Sequence, residues 1–582
     1  MQRWKEKLTA PSSPASSDRH PFVSKLQGRL LLDTLLLGII GAFSARLFDY
    51  SLSLVKNLSL KRLAGYVEPG LGSQGHVIHQ VIGSHGWWLI PAVVAVGGLI
   101  SGILVYSIAP EAEGHGTDTA VKSFHRRGGF IRSRVTPLKM VASAITIGTG
   151  GAAGREGPTA LFSAGIGSIY ATIKHSSDYE RRLLVLIGMA AGLSAIFRSP
   201  IGTAIFAVEV LYGEMEFETD ALPYTMLGSV IAYAVNGFMI GWEPLFRVPA
   251  QLGVNQASDY AWYTILGVCS GVLGILIPNI FYTVRDLFHK IPIPPHVKPA
   301  IGGLFVGIMA LWLPQVLGGG YGWIQEAING RLALSLMFLL IFAKVIAFSL
   351  TVSSGGSGGV FAPTLFIGAM LGGSLAYASH QPPAAFAVVG MAAVFGSAAR
   401  VPLATLLMVT EMTGGYSLLV PAALAVTIGS LIQTTFSSPF KYKSLYEGQM
   451  KNRFSSPAHR IEYLRKLMKM IKDQLSFNPN AIGHIDLLTL LEKGIPVDLP
   501  DGNQLIFGTL LPESPCIGQP VGSGCLSDNA EEYRIIGIFR EGNLILPHAS
   551  TTFEANDEVL LISTSKVAEQ IKNHLGPALP SQ

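Results

Sequence analysis

Apolar sequence recurs along most of this chain, at about 30–49, 87–108, 137–153, 183–197, 222–242, 262–284, 299–313, 332–352, 359–378 and 402–434. A helix of about 20 residues spans the hydrocarbon core of a bilayer, and several of these stretches are near that length. Others are shorter, or are broken by glycine and proline. Only 14% of the 582 residues are charged, where a soluble domain carries about 25%. The chain therefore reads as a polytopic membrane protein. Its 65 glycines suit close helix packing and broken helices better than a water-soluble core.

The interruptions come in matched pairs. "GMAAGLSAIFRSPIGTAIFAVEVL" at 188–211 aligns without gaps to "GMAAVFGSAARVPLATLLMVTEMT" at 390–413, with eight of 24 positions identical. Shared alanine and glycine could arise from biased composition. The pairs Arg198/Arg400, Pro200/Pro402 and Glu209/Glu411 could not, so the chain contains an internal duplication. A similar offset pairs "TGGAAGREGPT" (149–159) with "SGGSGGVFAPT" (354–364). Interrupted hydrophobic segments in corresponding places of two halves are the pattern of a transporter with discontinuous helices.

Three segments share one design, small residues that open a helix beside apolar sequence: Gly114-His115-Gly116, Gly154-Arg155-Glu156-Gly157-Pro158 and Gly359-Val360-Phe361-Ala362-Pro363. Proline in the first turn with glycine ahead of it marks a helix start. A helix start exposes unpaired N–H groups at the positive end of the dipole, which suits an anion. One such end offers an anion roughly 0.3–2 kcal/mol. Stripping an ion-sized charge of water costs up to about 20 kcal/mol in the idealised limit. Several convergent helix starts are therefore required, and a duplicated fold supplies them from both halves. Glu156 is a carboxylate in apolar surroundings, which costs about 2.5–3.5 kcal/mol on insertion scales and marks a functional site. Being an anion itself, it can occupy the site it guards and vacate it when protonated or displaced.

These motifs resemble the CLC chloride channels and chloride/proton exchangers over about residues 30–448. "GREGP" stands intact at Gly154–Pro158, "GVFAP" at Gly359–Pro363 fits G-x-F-x-P, and "SLYEG" puts Tyr446 at the position of a pore-facing tyrosine. The resemblance implies an all-α membrane domain of two inverted-topology repeats (about 30–245 and 255–448), a homodimer, and one pore per subunit. It implies chloride held by the amides of Val360 and Phe361 and the Tyr446 hydroxyl, with Gly116, Arg155, Gly157 and Ala362 contributed by the same motifs, and Glu156 as external gate. Two departures from the family stand out. "GHGTD", Gly114 to Asp118, stands where G-S-G-x-P is usual, so His115 replaces a serine and Asp118 the proline; His115 is either an anion contact or a structural hydrogen-bonding residue. The inner position that carries a proton-relay acid in exchangers is Val210, which tilts the expectation toward passive conduction, with chloride/proton exchange as the alternative. Glu209, one residue earlier, has Glu411 as its repeat partner and reads as structural.

After about residue 440 the character changes. Residues 449–483 form a linker, with a basic, helix-patterned portion at 451–475, and 484–576 read as a small α/β domain. "YRIIGIFREGNLILP" and "DEVLLIST" give strand signals and "SKVAEQIKNHL" a closing helix. This part resembles RCK_C, the regulatory module of potassium transport systems, and implies a cytoplasmic dimerising domain with or without a small ligand. "GQPVGSG" is too weak a pattern for a nucleotide loop. Cys269, Cys516 and Cys525 suggest neither a disulfide framework nor a zinc site.

Arg3, Lys5, Lys7, Arg19, Lys25 and Arg29 precede the first apolar stretch, so residues 1–29 are expected on the cytoplasmic side. The expected setting is the inner membrane of a prokaryote with both termini cytoplasmic. Expected partners are chloride, protons in the exchanger case, lipid and a second copy, with no nucleic acid and no cofactor. A cation filter such as T-V-G-Y-G is absent from the sequence. So is a metal-ligand cluster or a Ser–His nucleophile pair within the apolar segments, which argues against an enzyme.

Overall fold

The structure is a computed structural model that describes residues 21–69, 86–249, 252–253, 256–453, 455–459, 496–498, 503–526, 532–540, 543–545, 547–548 and 550–576. Inside hydrocarbon each backbone N–H and C=O must be paired within the protein, so apolar sequence of this kind folds as helices. The first half supplies α1 (Pro21–Lys56), α2 (Gly86–Ile108), α3 (Thr117–Arg126), α4 (Val135–Gly148), α5 (Glu156–Ile173), α6 (Asp178–Phe197), α7 (Pro200–Glu209) and α8 (Leu222–Ile240). The second half repeats the series with α9 (Asp259–Lys290), α10 (Lys298–Met309), α11 (Tyr321–Ile328), α12 (Leu334–Ser353), α13 (Phe361–Ser379), α14 (Pro383–Ala399), α15 (Pro402–Thr413) and α16 (Leu419–Phe436). The packing repeats as well: α5 lies against α6 as α13 lies against α14, and the halves join where α7 meets α15 and α2 meets α10. Among the described residues, six helices are long and apolar enough to cross a membrane.

The matched Arg and Pro now have a physical account. Arg198 and Arg400 end α6 and α14 in the left-handed conformation, φ 57° and 55°, which reverses the chain at a cost for non-glycine residues. Pro200 and Pro402 then open α7 and α15, where proline's missing N–H leaves nothing unpaired. The apolar stretch 402–434 proves to be two helices rather than one. Gly414, at φ 65°, ends α15, and α16 begins at Leu419.

The matched glutamates cap each other's helices across the duplication. Glu209, at the end of α7, accepts hydrogen bonds from the amides of Leu403 (3.1 Å) and Ala404 (2.6 Å) at the start of α15. Glu411, near the end of α15, accepts from the amides of Ile201 (3.1 Å) and Gly202 (2.9 Å) and from the Ser199 hydroxyl (2.6 Å) at the start of α7. Each satisfies buried orphan donors of a helix start and complements its dipole.

The C-terminal part is an antiparallel sheet of β1 (Val497–Asp498), β2 (Asn503–Leu510), β3 (Tyr533–Arg540), β4 (Asn543–Ile545), β5 (Glu558–Thr564) and β6 (Leu575–Gly576). The strand order is β1-β2-β5-β3-β4, with β6 beside β2. Helix α17 (Ser565–Lys572) joins Val567 and Ile571 to a core with Ile506, Leu510, Ile538 and Leu561. One expectation is corrected here: Cys516 and Cys525 form a disulfide. Nine residues apart, they face each other because the intervening loop folds back, a geometry that spacing alone does not reveal. Cys269 is free. Residues 460–495, most of the expected linker and the start of the expected C-terminal domain, lie outside the described residues.

Replacing Glu411 by Gln should lower the free energy of unfolding by about 1–3 kcal/mol, the cost of under-satisfied buried donors, while ion flux per folded molecule stays within about two-fold. Thermal melting in detergent beside a flux assay on the same preparation checks both.

Candidate functional site

Three helix starts converge because nothing larger than hydrogen fits between them. Gly154 and Gly359 form a two-bond antiparallel bridge, N···O 2.7 and 2.6 Å, that ties the loop before α5 to the loop before α13. A Cβ on Gly157 would lie 1.8 Å from the His115 carbonyl oxygen. Gly116 has φ 86°, and a Cβ there would meet the Gly157 carbonyl at 2.7 Å. The Gly358 amide donates to the Gly114 carbonyl at 3.2 Å, closing the third side.

Into this junction projects Glu156, the first residue of α5, 3% exposed. Its Oε1 accepts a hydrogen bond from the Ala362 amide in the first turn of α13, and its Oε2 has no hydrogen-bond partner among the described residues. The carboxylate therefore sits where a small anion would meet the N–H groups of a helix start. Val360 caps that helix, and Phe361 stacks edge-on against Phe395 (4.5 Å) and tilts against Phe197 (4.9 Å). Both are buried.

His115 is buried, its ring 5.4 Å from Tyr446 and 6.3 Å from Phe281, and its Nδ1 has no hydrogen-bond partner. Tyr446 is buried beside Thr117 at the start of α3. Asp118 explains the other departure in that motif. Its Oδ1 accepts from the Gly448 amide at 2.6 Å, and its Oδ2 pairs with Lys122 at 2.8 Å, so α3 holds the loop that carries Tyr446. The site thus gathers His115, Gly116, Glu156, Gly157, Val360, Phe361, Ala362 and Tyr446. Arg155 points elsewhere: its guanidinium pairs with Asp49 at 2.7 Å and lies over the Tyr321 ring at 4.8 Å.

Two lysines went unnoticed in the sequence, though charges inside the apolar stretches 137–153 and 332–352 were a usable signal. The Lys139 Nζ donates to the carbonyls of Ala112 (2.8 Å) and Gly114 (2.6 Å). The Lys344 Nζ donates to Val316 and Gly318, both at 2.8 Å. Each fully buried ammonium fixes the loop ahead of a short helix, α3 in one half and α11 in the other.

Val210 caps the end of α7, buried and without a titratable group. Just beyond it lies a polar cluster. His125 contacts the Leu211 carbonyl at 2.9 Å and the Ser456 hydroxyl at 2.7 Å. Glu218 accepts from the Tyr212 hydroxyl at 2.8 Å and pairs with His459 (2.8 Å) and Arg453 (3.1 Å). Backbone bonds Gly213 N to Met450 O (2.7 Å) and Met450 N to Leu211 O (3.1 Å) lay the first residues after Tyr446 along the same loop.

Residues 97–434 match the family described as voltage gated chloride channel, and residues 509–576 match the TrkA-C domain. The chain is 28% identical over 425 residues to the voltage-gated ClC-type chloride channel ClcB of Escherichia coli, covering 71% of this chain and 98% of that protein. It is 28% identical over 383 residues to the H(+)/Cl(-) exchange transporter ClcA of Vibrio campbellii, covering 63% and 81%. Among solved structures, a slow cyanobacterial Cl-/H+ antiporter superposes with a TM-score of 0.62 at 22% identity, over 72% of this chain and 96% of that one. The chain belongs to the voltage-gated chloride channel (CLC) family. It is a multi-pass membrane protein of CLC-type chloride transport, carrying a TrkA-C domain at its C-terminal end.

Burial pushes the Glu218 carboxyl up, but the His459, Arg453 and Tyr212 contacts outweigh it and hold it below the usual carboxylate range. A depressed carboxylate contributes stability above its unfolded pKa of about 4.3 and loses it as pH falls through the folded value. Glu218→Gln at neutral pH, like acidification of the native protein through the folded value, should lower the protection of residues 450–459 against amide hydrogen exchange while the protection of α5 and α13 is unchanged.

Proposed function

We propose that this protein conducts chloride passively through a pore gated by Glu156, as a homodimer in a prokaryotic inner membrane with both termini cytoplasmic. The observation that carries this is the Glu156 carboxylate seated on the Ala362 amide at the start of α13. A group that mimics the permeant ion occupies the place where helix starts from both halves meet. When the carboxylate leaves, an anion meets the amides of Phe361 and Ala362, with the Tyr446 hydroxyl and the His115 ring on the opposite side. His115 offers an imidazole where the family usually offers a serine hydroxyl. The N–H donors are prearranged by the Gly154–Gly359 bridge, so they need no reorganisation when the ion arrives.

Passive conduction is favoured because Val210 cannot relay a proton. Coupled chloride/proton exchange is the second reading, and the observation in its favour is the buried Glu218–His459–Tyr212–His125 cluster, whose Tyr212 and Glu218 lie two and eight residues beyond Val210. The basic residues before α1 support the cytoplasmic placement of the N-terminus. The C-terminal domain is then cytoplasmic too, a regulatory attachment to the pore.

Reconstituted vesicles separate the two modes. Under passive conduction the reversal potential follows the chloride gradient alone, and a pH gradient drives no uphill chloride; uphill chloride would establish exchange. Glu156→Gln and Glu156→Ala should each give an ungated chloride leak whose rate does not change between pH 4.5 and 7.5. Retained pH dependence in both variants would remove Glu156 from the gate.

A further inference from the structure

Beside the Glu156 seat lies a second hydrogen-bonding position, built from α11 and the start of α5. Tyr321 opens α11, and its buried hydroxyl has no hydrogen-bond partner among the described residues. The Arg155 Nε is also buried and unpaired, although its Nη1 is committed to Asp49. The Tyr321 hydroxyl faces both Arg155 and Glu156 without a well-formed hydrogen bond to either. The third unpaired buried atom here is Glu156 Oε2, an acceptor. Buried polar atoms are nearly always paired, so two unpaired donors and an unpaired acceptor in neighbouring residues call for an explanation.

Tyr321 also reaches a cavity of about 510 Å³, lined by Arg46, Asp49, Lys56, Glu68 and Arg155 among others. Asp49 and Lys56 lie at the far end of α1 from the basic N-terminal segment. The cavity therefore opens on the side away from that segment, the external side. Tyr321 stands between it and the Glu156 seat.

We propose that Tyr321, with Arg155 Nε, is the station that receives the Glu156 carboxylate when it leaves the Ala362 amide toward the outer cavity, making Tyr321 a positioning residue for the gate. This rests on Glu156 being the gate. In the seated state Oε1 is bonded and the two donors wait. In the displaced state the carboxylate accepts from both, and the α13 amides are free for an anion. The ring needs no movement: it is stacked on Phe246 at 6.0 Å and under the Arg155 guanidinium at 4.8 Å. Removing the hydroxyl leaves those contacts in place and shifts the population toward the seated, closed state.

The test is a double-mutant cycle on chloride efflux from vesicles at fixed pH, with the full chain. Tyr321→Phe should slow efflux roughly 10- to 100-fold in the wild-type background, the effect of one hydrogen bond to a charged group. In the Glu156→Ala background it should have no effect, because no carboxylate remains to be received; that double variant also shows that the Phe protein folds and conducts. Equal slowing in both backgrounds would mean that the hydroxyl acts on the ion or on packing, and would overturn the proposal. So would unchanged efflux in both. Failure of the gate assignment is visible separately, as efflux that Glu156→Ala alone leaves at the wild-type rate, and it would take the Tyr321 station with it.

Discussion

A helix that begins inside a membrane leaves donors with no solvent to satisfy them, and this architecture is organised around that deficit. At α7 and α15 the orphan amides are met by glutamates from the opposite half. At α13 the Ala362 amide is met by Glu156. The first two partners belong to structural joints with further bonds around them. Glu156 has one bonded oxygen and one free, on the first residue of its own helix. The same interaction is thus a fully bonded cap in two places and a half-bonded one in the third.

Close approach makes the third place possible. The loops before α3, α5 and α13 touch through backbone at Gly116, Gly157 and Gly359, where no Cβ would fit between them. Lys139 fixes the loop before α3 by binding its carbonyls, and Lys344 does the same for the loop before α11. An anion at the junction is favoured by the directed dipoles of the helix starts.

Much of this was legible from the chain alone. The duplication, the helix starts, the placement of Glu156 at one of them and the structural role of Glu411 followed from matched residues and from the cost of charge in hydrocarbon. What escaped detection depends on contacts between distant segments. Tyr321 looks like an ordinary aromatic in "GGGYGWI" until α11 is placed beside α5. Asp118 looked like a defect in a motif, and is the group that holds the Tyr446 loop. Glu218 and His459 are 241 residues apart in sequence, so no local pattern joins them. The disulfide between Cys516 and Cys525 and the break of 402–434 into two helices were hidden because loop geometry decides both.

The exchange of caps between Glu209 and Glu411 bears on how such a chain could have arisen. Neither half can complete its own helix start; each borrows an acceptor from its counterpart. A primordial protein of half this length would have met the same need only by pairing with another molecule of itself, inserted upside down. Fusion would then have preserved a bargain already struck between two separate molecules, which is why Arg-x-Pro and the distal glutamate persist in both copies while the residues between them have drifted.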